Sequence, residues 1–444
     1  VTVGALSGRK VLVVGLARSG RAAARLAHRH GARVVGVDLR IGLEPIDGVM
    51  LELGPHRRER FEDADTIVVS PGIPLSQPDL AWAIAAGKDV IGEVGFALRF
   101  LTQPVVAITG TNGKSTTTSF TGQLLAACGF RPFVGGNLGT PLCEAALDHA
   151  AYDVLVVEVS SYQLELAGAL APIAGVILNL TPDHLGRHGT MEGYAAAKAR
   201  LFQHLAPADW AIVPKDDGLL TAAAGLRGTR LWLGDLPGVV RDGRTVRVHT
   251  PEHDLTLSLD GFRVPGAHNL DNAAVAALLA LRAGARPEDL QRALPGLEAL
   301  AHRMQLVADA GDVWWIDDSK ATNLDAARVG ITGLDRPSVV LLGGQGKPLA
   351  DGSLGAGALA PALARHRAVV TFGADGPRIA DELAAVGVSA HRTATLADAA
   401  ALARTLARPG DAVLLSPMCA SFDAFRDFEH RGDVFAALAR GGAP

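Results

Sequence analysis

The sequence predicts an α/β protein of three domains. Rossmann-like N- and C-terminal domains flank a central domain with a parallel sheet, a phosphate loop and a small antiparallel annex. Three observations carry this. The chain has 444 residues, more than one hydrophobic core supports, and domains of about 100–200 residues divide it into two or three. Short apolar runs alternate with glycine turns and alanine-rich segments of helical propensity, the pattern of β-α units. Polar residues gather where the apolar runs end, and ligands bind at those strand ends in open parallel sheets.

Composition narrows the class. Hydrophobic residues make up 48% and charged residues 20%, ordinary for a globular chain. Lys+Arg 42 against Asp+Glu 46 leaves a formal net charge of −4, which argues against a nucleic-acid binder. Cys128, Cys143 and Cys419 lie far apart, without the spacing of a disulfide framework or a zinc site. No charged-then-apolar leader and no apolar run long enough to span a bilayer is present, so the expected setting is cytoplasmic, soluble and reducing, with no membrane partner. Lysines are few, and Lys114, Lys198, Lys320 and Lys347 all fall inside the motifs below. Where generic charge is carried by arginine, a retained lysine points to ammonium or amine chemistry.

The N-terminal domain, residues 1–98, opens with the strand Lys10–Gly15 and the turn Leu16-Ala17-Arg18-Ser19-Gly20, followed by an Ala/Arg-rich helix. A second strand ends at Asp38. This is a Rossmann-type opening with its acidic residue nearly in place, although Ala17 replaces the middle glycine. Both a nucleotide-diphosphate site and plain strand–helix packing satisfy the pattern. A third strand, Thr66–Val69, runs into Ser70-Pro71-Gly72-Ile73-Pro74.

The central domain, 99–299, carries the most specific signal. The apolar run Pro104–Ile108 leads into Thr109-Gly110-Thr111-Asn112-Gly113-Lys114-Ser115-Thr116 and then a helix. Backbone N–H groups in such a turn face phosphates, the helix dipole favours negative charge, Lys114 adds a point charge and Ser115 offers a hydroxyl to Mg²⁺. ATP is the expected ligand, though Ile108 stands where the usual pattern has glycine. Phe133–Gly139 reads as a glycine-rich connection containing Asn137. Tyr152–Ser161 reads as a buried strand with Glu158 in its apolar half, and a carboxylate there needs a cation or a metal. His184 ends the next strand region, Gly175–Leu180 plus Thr181-Pro182-Asp183, where a surface histidine and a functional one are both compatible. Tyr194–Phe202 is helical, and taken alone Lys198 is a solvated helix charge. Arg227–Leu259 reads as the antiparallel annex. Asn272 falls in the polar opening of a long helix, either capping it or touching a nucleotide base.

The C-terminal domain, 300–444, repeats the strand-then-polar-loop arrangement. The loops are Asp317-Asp318-Ser319-Lys320-Ala321-Thr322-Asn323, Gly343-Gly344-Gln345-Gly346-Lys347, Gly373-Ala374-Asp375-Gly376 and Ser416–Asp423. Cys419 has no histidine suitably placed to activate it and reads as a small buried thiol.

Together these motifs resemble the Mur ligase family of ATP-dependent amide-bond-forming enzymes. The phosphate loop Gly110–Thr116 is followed by Glu158, His184, Lys198, Asn272 and His302-Arg303 in family order. Asp318–Asn323 and Ser416–Asp423 match the D-glutamate-adding branch. The resemblance spans the chain from Gly15 to the Arg426–Phe435 helix. It implies a UDP-binding domain, a P-loop ATPase domain and an amino-acid domain. ATP and two Mg²⁺ ions would serve it, with UDP-N-acetylmuramoyl-L-alanine and D-glutamate as substrates and a monomer as the expected state. By this resemblance Ser19, Asp38, Leu39, Arg40, Gly72, Asn137 and His184 would hold the UDP-sugar. Gly110, Thr111, Asn112, Gly113, Lys114, Ser115, Thr116, Asn272, Arg303 and Asp318 would hold ATP. Ser115, Glu158, His184 and a carbamylated Lys198 would serve the metals, with Lys114, Glu158, His184 and Lys198 as the catalytic set. Thr322, Lys347, Ser421 and Phe428 would receive D-glutamate. Ala301 stands where proline often precedes the His-Arg pair, Gln345 where aspartate often occurs, and Gly186 replaces a frequent aspartate.

Three other readings compete. A sister ligase adding another amino acid, or a folylpolyglutamate-synthase-like ligase, is the nearest; the latter usually lacks the leading domain. Against a non-catalytic nucleotide-binding protein that kept the scaffold, the phosphate loop, Glu158, Lys198 and both C-terminal motifs are all intact. A dehydrogenase rests only on the imperfect turn at Gly15–Gly20.

Overall fold

The computed structural model describes residues 5–223, 227–349 and 351–442, which fall into two compact units. One comprises the chain up to Asp260 together with Asn272–Leu294, and the other Gly261–Asp271 and the chain from Pro295.

The first unit contains two sheets. In the first of them, β1 (Lys10–Val14), β2 (Arg33–Asp38), β3 (Val49–Leu53), β4 (Thr66–Val69) and β5 (Asp89–Gly92) run parallel in the order β3-β2-β1-β4-β5. β4 is buried throughout and β1 almost so, as the continuous apolar runs require of strands covered on both faces. β3 and β5 escape the sequence reading: VMLEL carries a charge on a half-exposed edge, and DVIG is only four residues long. The helix Arg18–Arg29 buries Gly20, Ala22, Ala23, Ala24 and Ala27, small residues that let it lie close to the sheet, together with Leu26.

The helix Glu93–Leu98 buries its first residue completely. Glu93 Oε1 accepts from the Cys143 N–H at 2.6 Å, and Oε2 has no hydrogen-bond partner. Burial outweighs that bond and raises the carboxyl from 4.5 to about 7. A raised folded-state value means the proton is held more tightly in the folded chain. The stabilisation is therefore complete below pH 4.5 and is lost as pH rises through about 7. The shift corresponds to about 3 kcal/mol. Urea unfolding at pH 5 and pH 8 is expected to show a smaller pH-dependent loss in Glu93→Gln than in the unsubstituted chain. Equal losses in both would refute the assignment.

The second sheet has nine strands: β6 (Val105–Thr109), β7 (Pro132–Gly136), β8 (Val154–Glu158), β9 (Ala174–Ile177), β10 (Trp210–Pro214), β11 (Thr229–Leu233), β12 (Gly238–Asp242), β13 (Thr245–His249) and β14 (Asp254–Ser258). Their order is β14-β13-β12-β11-β10-β9-β6-β8-β7. β12–β14 pair antiparallel, as expected of the annex, but they are joined through β11 and β10 to the parallel sheet and extend it. The supposed connection Phe133–Gly139 is partly strand β7, because its glycines pair with β8 along the sheet edge. In β6 the parallel register sets Ile108 beside Glu158 of β8 and Val176 of β9. The carboxyl ends of these three strands are thus level, and β6 is the point where successive connections leave to opposite sides.

The second unit holds a six-stranded sheet: β15 (Gln305–Ala310), β16 (Val313–Asp317), β17 (Ser338–Gly343), β18 (Ala368–Phe372), β19 (His391–Arg392) and β20 (Ala412–Met418), in the order β15-β16-β20-β17-β18-β19. Only β15 is antiparallel, paired to β16. Apolar side chains cover both faces of this sheet in two clusters. The polar loops after β16, β17, β18 and β20 therefore emerge along its carboxyl edge.

Candidate active site

The first unit's site is built on the carboxyl ends of β6, β8 and β9. Gly110 and Gly113 both have positive φ, 149° and 82°. The left-handed φ of Gly113 favours glycine, and a Cβ there would come within 2.7 Å of Asn272 Oδ1. The helix Lys114–Ala127 starts at once, and its first N–H groups have no intrahelical acceptor. Lys114 Nζ donates to the carbonyls of Gly110 at 3.0 Å and Thr111 at 2.8 Å, holding its ammonium over the loop. Ser115 is buried in the same turn. Such a cradle suits a polyphosphate.

Asn272 is the sixth residue of the helix Ala267–Arg282, too far in to be its cap. Its Oδ1 accepts from Thr117 Oγ1 at 3.2 Å, placing the side chain against the phosphate loop.

Glu158 ends β8 with only 1% exposure. Its Oε1 accepts from Asn137 Nδ2 at 2.6 Å, while Oε2 has no hydrogen-bond partner. Among the described residues no ion pair accounts for Glu158, so the structural salt bridge considered from sequence is not what satisfies it. A buried carboxylate oxygen left open beside a phosphate loop fits a divalent cation held jointly with Ser115 and phosphate oxygens. No group of three or more His, Cys, Asp or Glu with metal-site geometry occurs among the described residues, so a cation here would draw its other ligands from hydroxyl, phosphate and water. Asn137, expected at the UDP-sugar, is in this structure the partner of Glu158.

Lys198 overturns the local reading of a solvated helix charge. It lies on the helix Met191–Ala199 with 1% exposure, because that face of the helix is packed against the phosphate loop. Nζ donates to the Gly110 carbonyl at 2.8 Å and sits 4.6 Å from the Tyr194 ring centroid. Burial, and secondarily the Lys114 charge, lower its pKa from 10.5 to about 7. A lysine held there has a substantial neutral fraction at physiological pH, the form that reacts with CO₂.

His184 follows β9 in a left-handed conformation, φ 54°. Its Nδ1 lies 3.0 Å from Tyr162 Oη, and Nε2 3.4 Å from Asp183 Oδ2. Its side chain is 45% exposed, so the ring stands at the mouth of the site and not in the core.

The Rossmann-like turn is closed by Asp38. Its carboxylate accepts from the Leu16 N–H at 2.7 Å and from the Arg40 N–H, Nε and Nη2 at 2.8–3.0 Å. The Arg40 bonds hold its pKa well below the usual carboxylate range. Leu39 is 70% exposed at the same strand end, Ser19 lies in the first turn of the following helix, and Gly72 is exposed after β4. These expected UDP-sugar residues thus share one sheet edge.

In the second unit the loops expected to receive D-glutamate are tied together by backbone. Gln345 and Ala420 exchange N–H···O bonds of 2.9 Å, which sets the Lys347 loop beside Ser421. Gly346 N–H donates to Asp375 at 2.7 Å. Phe428 starts the helix Phe428–Ala439, and Lys320 Nζ stands 3.7 Å from its ring centroid. Thr322 lies two residues beyond Lys320. Asp318 is buried, accepting from Ser416 Oγ at 2.8 Å and weakly from the Met304 N–H, and burial raises its pKa to about 7. The neighbour Asp317 holds His302 Nδ1 at 2.7 Å, which raises the histidine pKa and sets the turn carrying Arg303. The buried thiol Cys419, pushed by burial to about 12, is inert, as expected.

Sequence reasoning missed Arg431, inside the C-terminal helix. It is fully buried and spends all five donors on neutral oxygens. Nε donates to Ser319 Oγ, Nη1 to the carbonyls of Ala420 and Gly343, and Nη2 to those of Ser319 and Cys419, at 2.9–3.5 Å. Burial lowers its pKa to about 10, so it remains a cation at neutral pH. The signal available in sequence was weak, an arginine one turn into a helix whose first half also carries Glu429, His430 and Asp433.

Comparison with known proteins places this architecture. Three family models match in succession: a Mur ligase MurD-like N-terminal domain over residues 9–92, a Mur ligase middle domain over 108–280, and a Mur ligase glutamate ligase domain over 302–419. Similar curated proteins include the UDP-N-acetylmuramoylalanine–D-glutamate ligases of Myxococcus xanthus, 43% identical, and Anaeromyxobacter dehalogenans, 42% identical. Each comparison covers 98% of both chains. Among solved structures, a MurF of Acinetobacter baumannii superposes with TM-score 0.60 at 18% identity, covering 97% of this chain and 93% of that one. MurF of Thermotoga maritima, in complex with ADP, gives 0.59 at 17%, covering 99% and 96%. At those identities the structures speak for the fold, and the near-full-length relatives for descent. The chain belongs to the Mur ligase family.

Proposed function

We infer that this protein joins D-glutamate to UDP-N-acetylmuramoyl-L-alanine at the expense of ATP, a cytoplasmic step of peptidoglycan synthesis that supports cell-wall formation and division. The observation that carries this reading is the 43% identity, across 98% of both chains, to a ligase named for that reaction. No helix among the described residues is long and apolar enough to cross a membrane.

A carboxylate is a poor acyl donor. Its oxygen attacks the γ-phosphorus of ATP, ADP leaves, and an acyl phosphate forms. The glutamate amine then adds to the carbonyl carbon, giving a tetrahedral intermediate that expels inorganic phosphate and loses the amine proton. Two anions must meet in the first step, so shielding of charge is the chief requirement. Lys114 and the loop N–H groups from Gly113 to Thr116 bind and orient the triphosphate, while Gly110, Thr111 and Asn112 shape the turn around it. Ser115 with Glu158, and His184 with Lys198, would hold two Mg²⁺ ions, which when bound neutralise phosphate charge. Lys198 serves as an anionic ligand once carbamylated: its neutral amine adds to CO₂, forming an N–C bond and releasing one proton.

The remaining assignments belong to the same proposal. Residues 1–98, 99–299 and 300–444 are the functional domains. Ser19, Asp38, Leu39, Arg40, Gly72, Asn137 and His184 serve the UDP-sugar, with Asn137 acting also through Glu158. Asn272, Arg303 and Asp318 serve the nucleotide, and Thr322, Lys347, Ser421 and Phe428 serve D-glutamate. All come from one chain, so a monomer suffices.

The test is phosphate release from ATP with UDP-N-acetylmuramoyl-L-alanine across a panel of D- and L-amino acids. Release with D-glutamate alone is expected. Release with a different amino acid would move the chain to a sister ligase, and turnover independent of any amino acid would sink the ligase reading.

A further inference from the structure

Two of the phosphate-loop amides do not face outward. The Thr111 N–H donates to Asn179 Oδ1 and to the Asn179 carbonyl, both at 3.1 Å, and the Asn112 N–H donates to the same Oδ1 at 2.8 Å. Asn179 Nδ2 returns a bond to the Asn112 carbonyl at 3.1 Å. One carboxamide thus clamps both amides and one carbonyl of the turn between Gly110 and Gly113.

Asn179 can do this because of where β9 ends. The Leu178 N–H donates to Thr109 O at 2.9 Å, so the ladder between β9 and β6 runs on to the start of the loop. The next residue is then opposite the turn. Asparagine is required by the chemistry of the contacts, since they use an acceptor with two lone pairs and a donor on one planar group. Aspartate keeps the acceptor, loses the donor and adds a negative charge beside the phosphate cradle. Alanine loses all side-chain contacts. The turn retains a second fastening, because Thr111 Oγ1 donates to Thr181 O at 3.2 Å and accepts from Thr181 N–H at 3.1 Å. Removing the Asn179 side chain therefore loosens the loop without releasing it.

We propose that Asn179 is a positioning residue for the nucleotide: its carboxamide presets the Thr111–Asn112 half of the phosphate loop, leaving recognition of phosphate to the amides from Gly113 onward and to Lys114. The clamp lowers the ordering that ATP would otherwise have to impose. This rests on the ATP-dependent ligase reading.

The experiment compares the full chain with Asn179→Ala and Asn179→Asp. It measures ADP binding in Mg²⁺ buffer by calorimetry, steady-state KM for ATP and for the UDP-sugar, and thermal unfolding. Asn179→Ala is expected to weaken ADP binding and raise KM for ATP by about tenfold or more, with KM for the UDP-sugar within about twofold. Asn179→Asp is expected to show a loss that shrinks as ionic strength rises, because part of it is charge repulsion, whereas the alanine loss is insensitive to salt. If Asn179→Ala fails to fold, the near-isosteric aspartate variant decides the matter by its salt dependence. An unchanged KM for ATP, or parallel rises in both KM values, overturns the proposal. Failure of the unsubstituted chain to bind ADP would instead overturn the ligase reading beneath it.

Discussion

Lys198→Ala is expected to lower the ligation rate by roughly 10²–10³-fold, with partial recovery on adding acetate, propionate or another short carboxylate. The buried amine has its pKa lowered to about 7 by desolvation and by Lys114, and it stands 2.8 Å from the Gly110 carbonyl. Left as an ammonium it would repel a divalent cation; as a carbamate it is an anionic oxygen ligand. The alanine variant leaves a cavity in which a small carboxylate can supply that oxygen. A measurement independent of turnover is the ¹³C resonance of a carbamate after incubation with labelled bicarbonate, expected in the unsubstituted chain and missing in Lys198→Ala. Full activity of Lys198→Ala without any additive would remove Lys198 from the mechanism.

Arg431→Met is expected to destabilise the second unit by roughly 2–4 kcal/mol and to raise KM for D-glutamate. The guanidinium is the common partner of the carbonyls of Ser319, Cys419 and Ala420 and of the Ser319 hydroxyl. Those groups belong to the loops after β16 and β20, and Ser421 follows directly. Methionine fills much of the volume but strands the buried acceptors, and the penalty of unmade bonds exceeds the net value of the bonds themselves. Lysine, with three donors on one tetrahedral nitrogen, cannot reach all of them and should fall between. Urea unfolding, followed by tryptophan fluorescence to which Trp314 and Trp315 contribute from the second unit, reads the stability, and the amino-acid dependence of phosphate release reads the site. Unchanged stability in Arg431→Met would show that the buried charge costs as much as its bonds return.

The phosphate loop was legible because its chemistry is contiguous. A strand, two glycines, a lysine and a hydroxyl within eight residues constrain one another locally, and the loop lies where that order places it. The buried strands β1, β4, β6, β8, β17 and β20 were legible for a similar reason, since a strand covered on both faces must be apolar along its length. β3, β5 and β7 were not, because edge strands tolerate charge, brevity and glycine, and their pairing is set by the neighbour and not by their own residues. The annex was legible as antiparallel only in β12–β14; β11, within the same stretch, pairs parallel with both β10 and β12 and so continues the central sheet, an attachment that depends on β10 and β11 meeting edge to edge.

Family resemblance marked Glu158, Lys198 and Asn272 as site residues. Their physical states came only from the assembled fold. Glu158 keeps an unsatisfied oxygen because β8 stands next to β6 in register. Lys198 is buried because a carbonyl 88 residues earlier in the chain lies against its helix. Asn179 and Arg431 were invisible as functional groups, since each draws its meaning from backbone atoms that sequence separation hides.

The sequence alone therefore determined the fold class, the order of domains, the phosphate loop and the membership of a ligase family, all properties carried by local pattern and contiguous motif. Only the tertiary structure decided which charges are buried, which carboxylate oxygen is left open and which amide holds the loop. Those properties depend on desolvation and on hydrogen bonds between residues far apart in the chain, and no local window of sequence contains both partners.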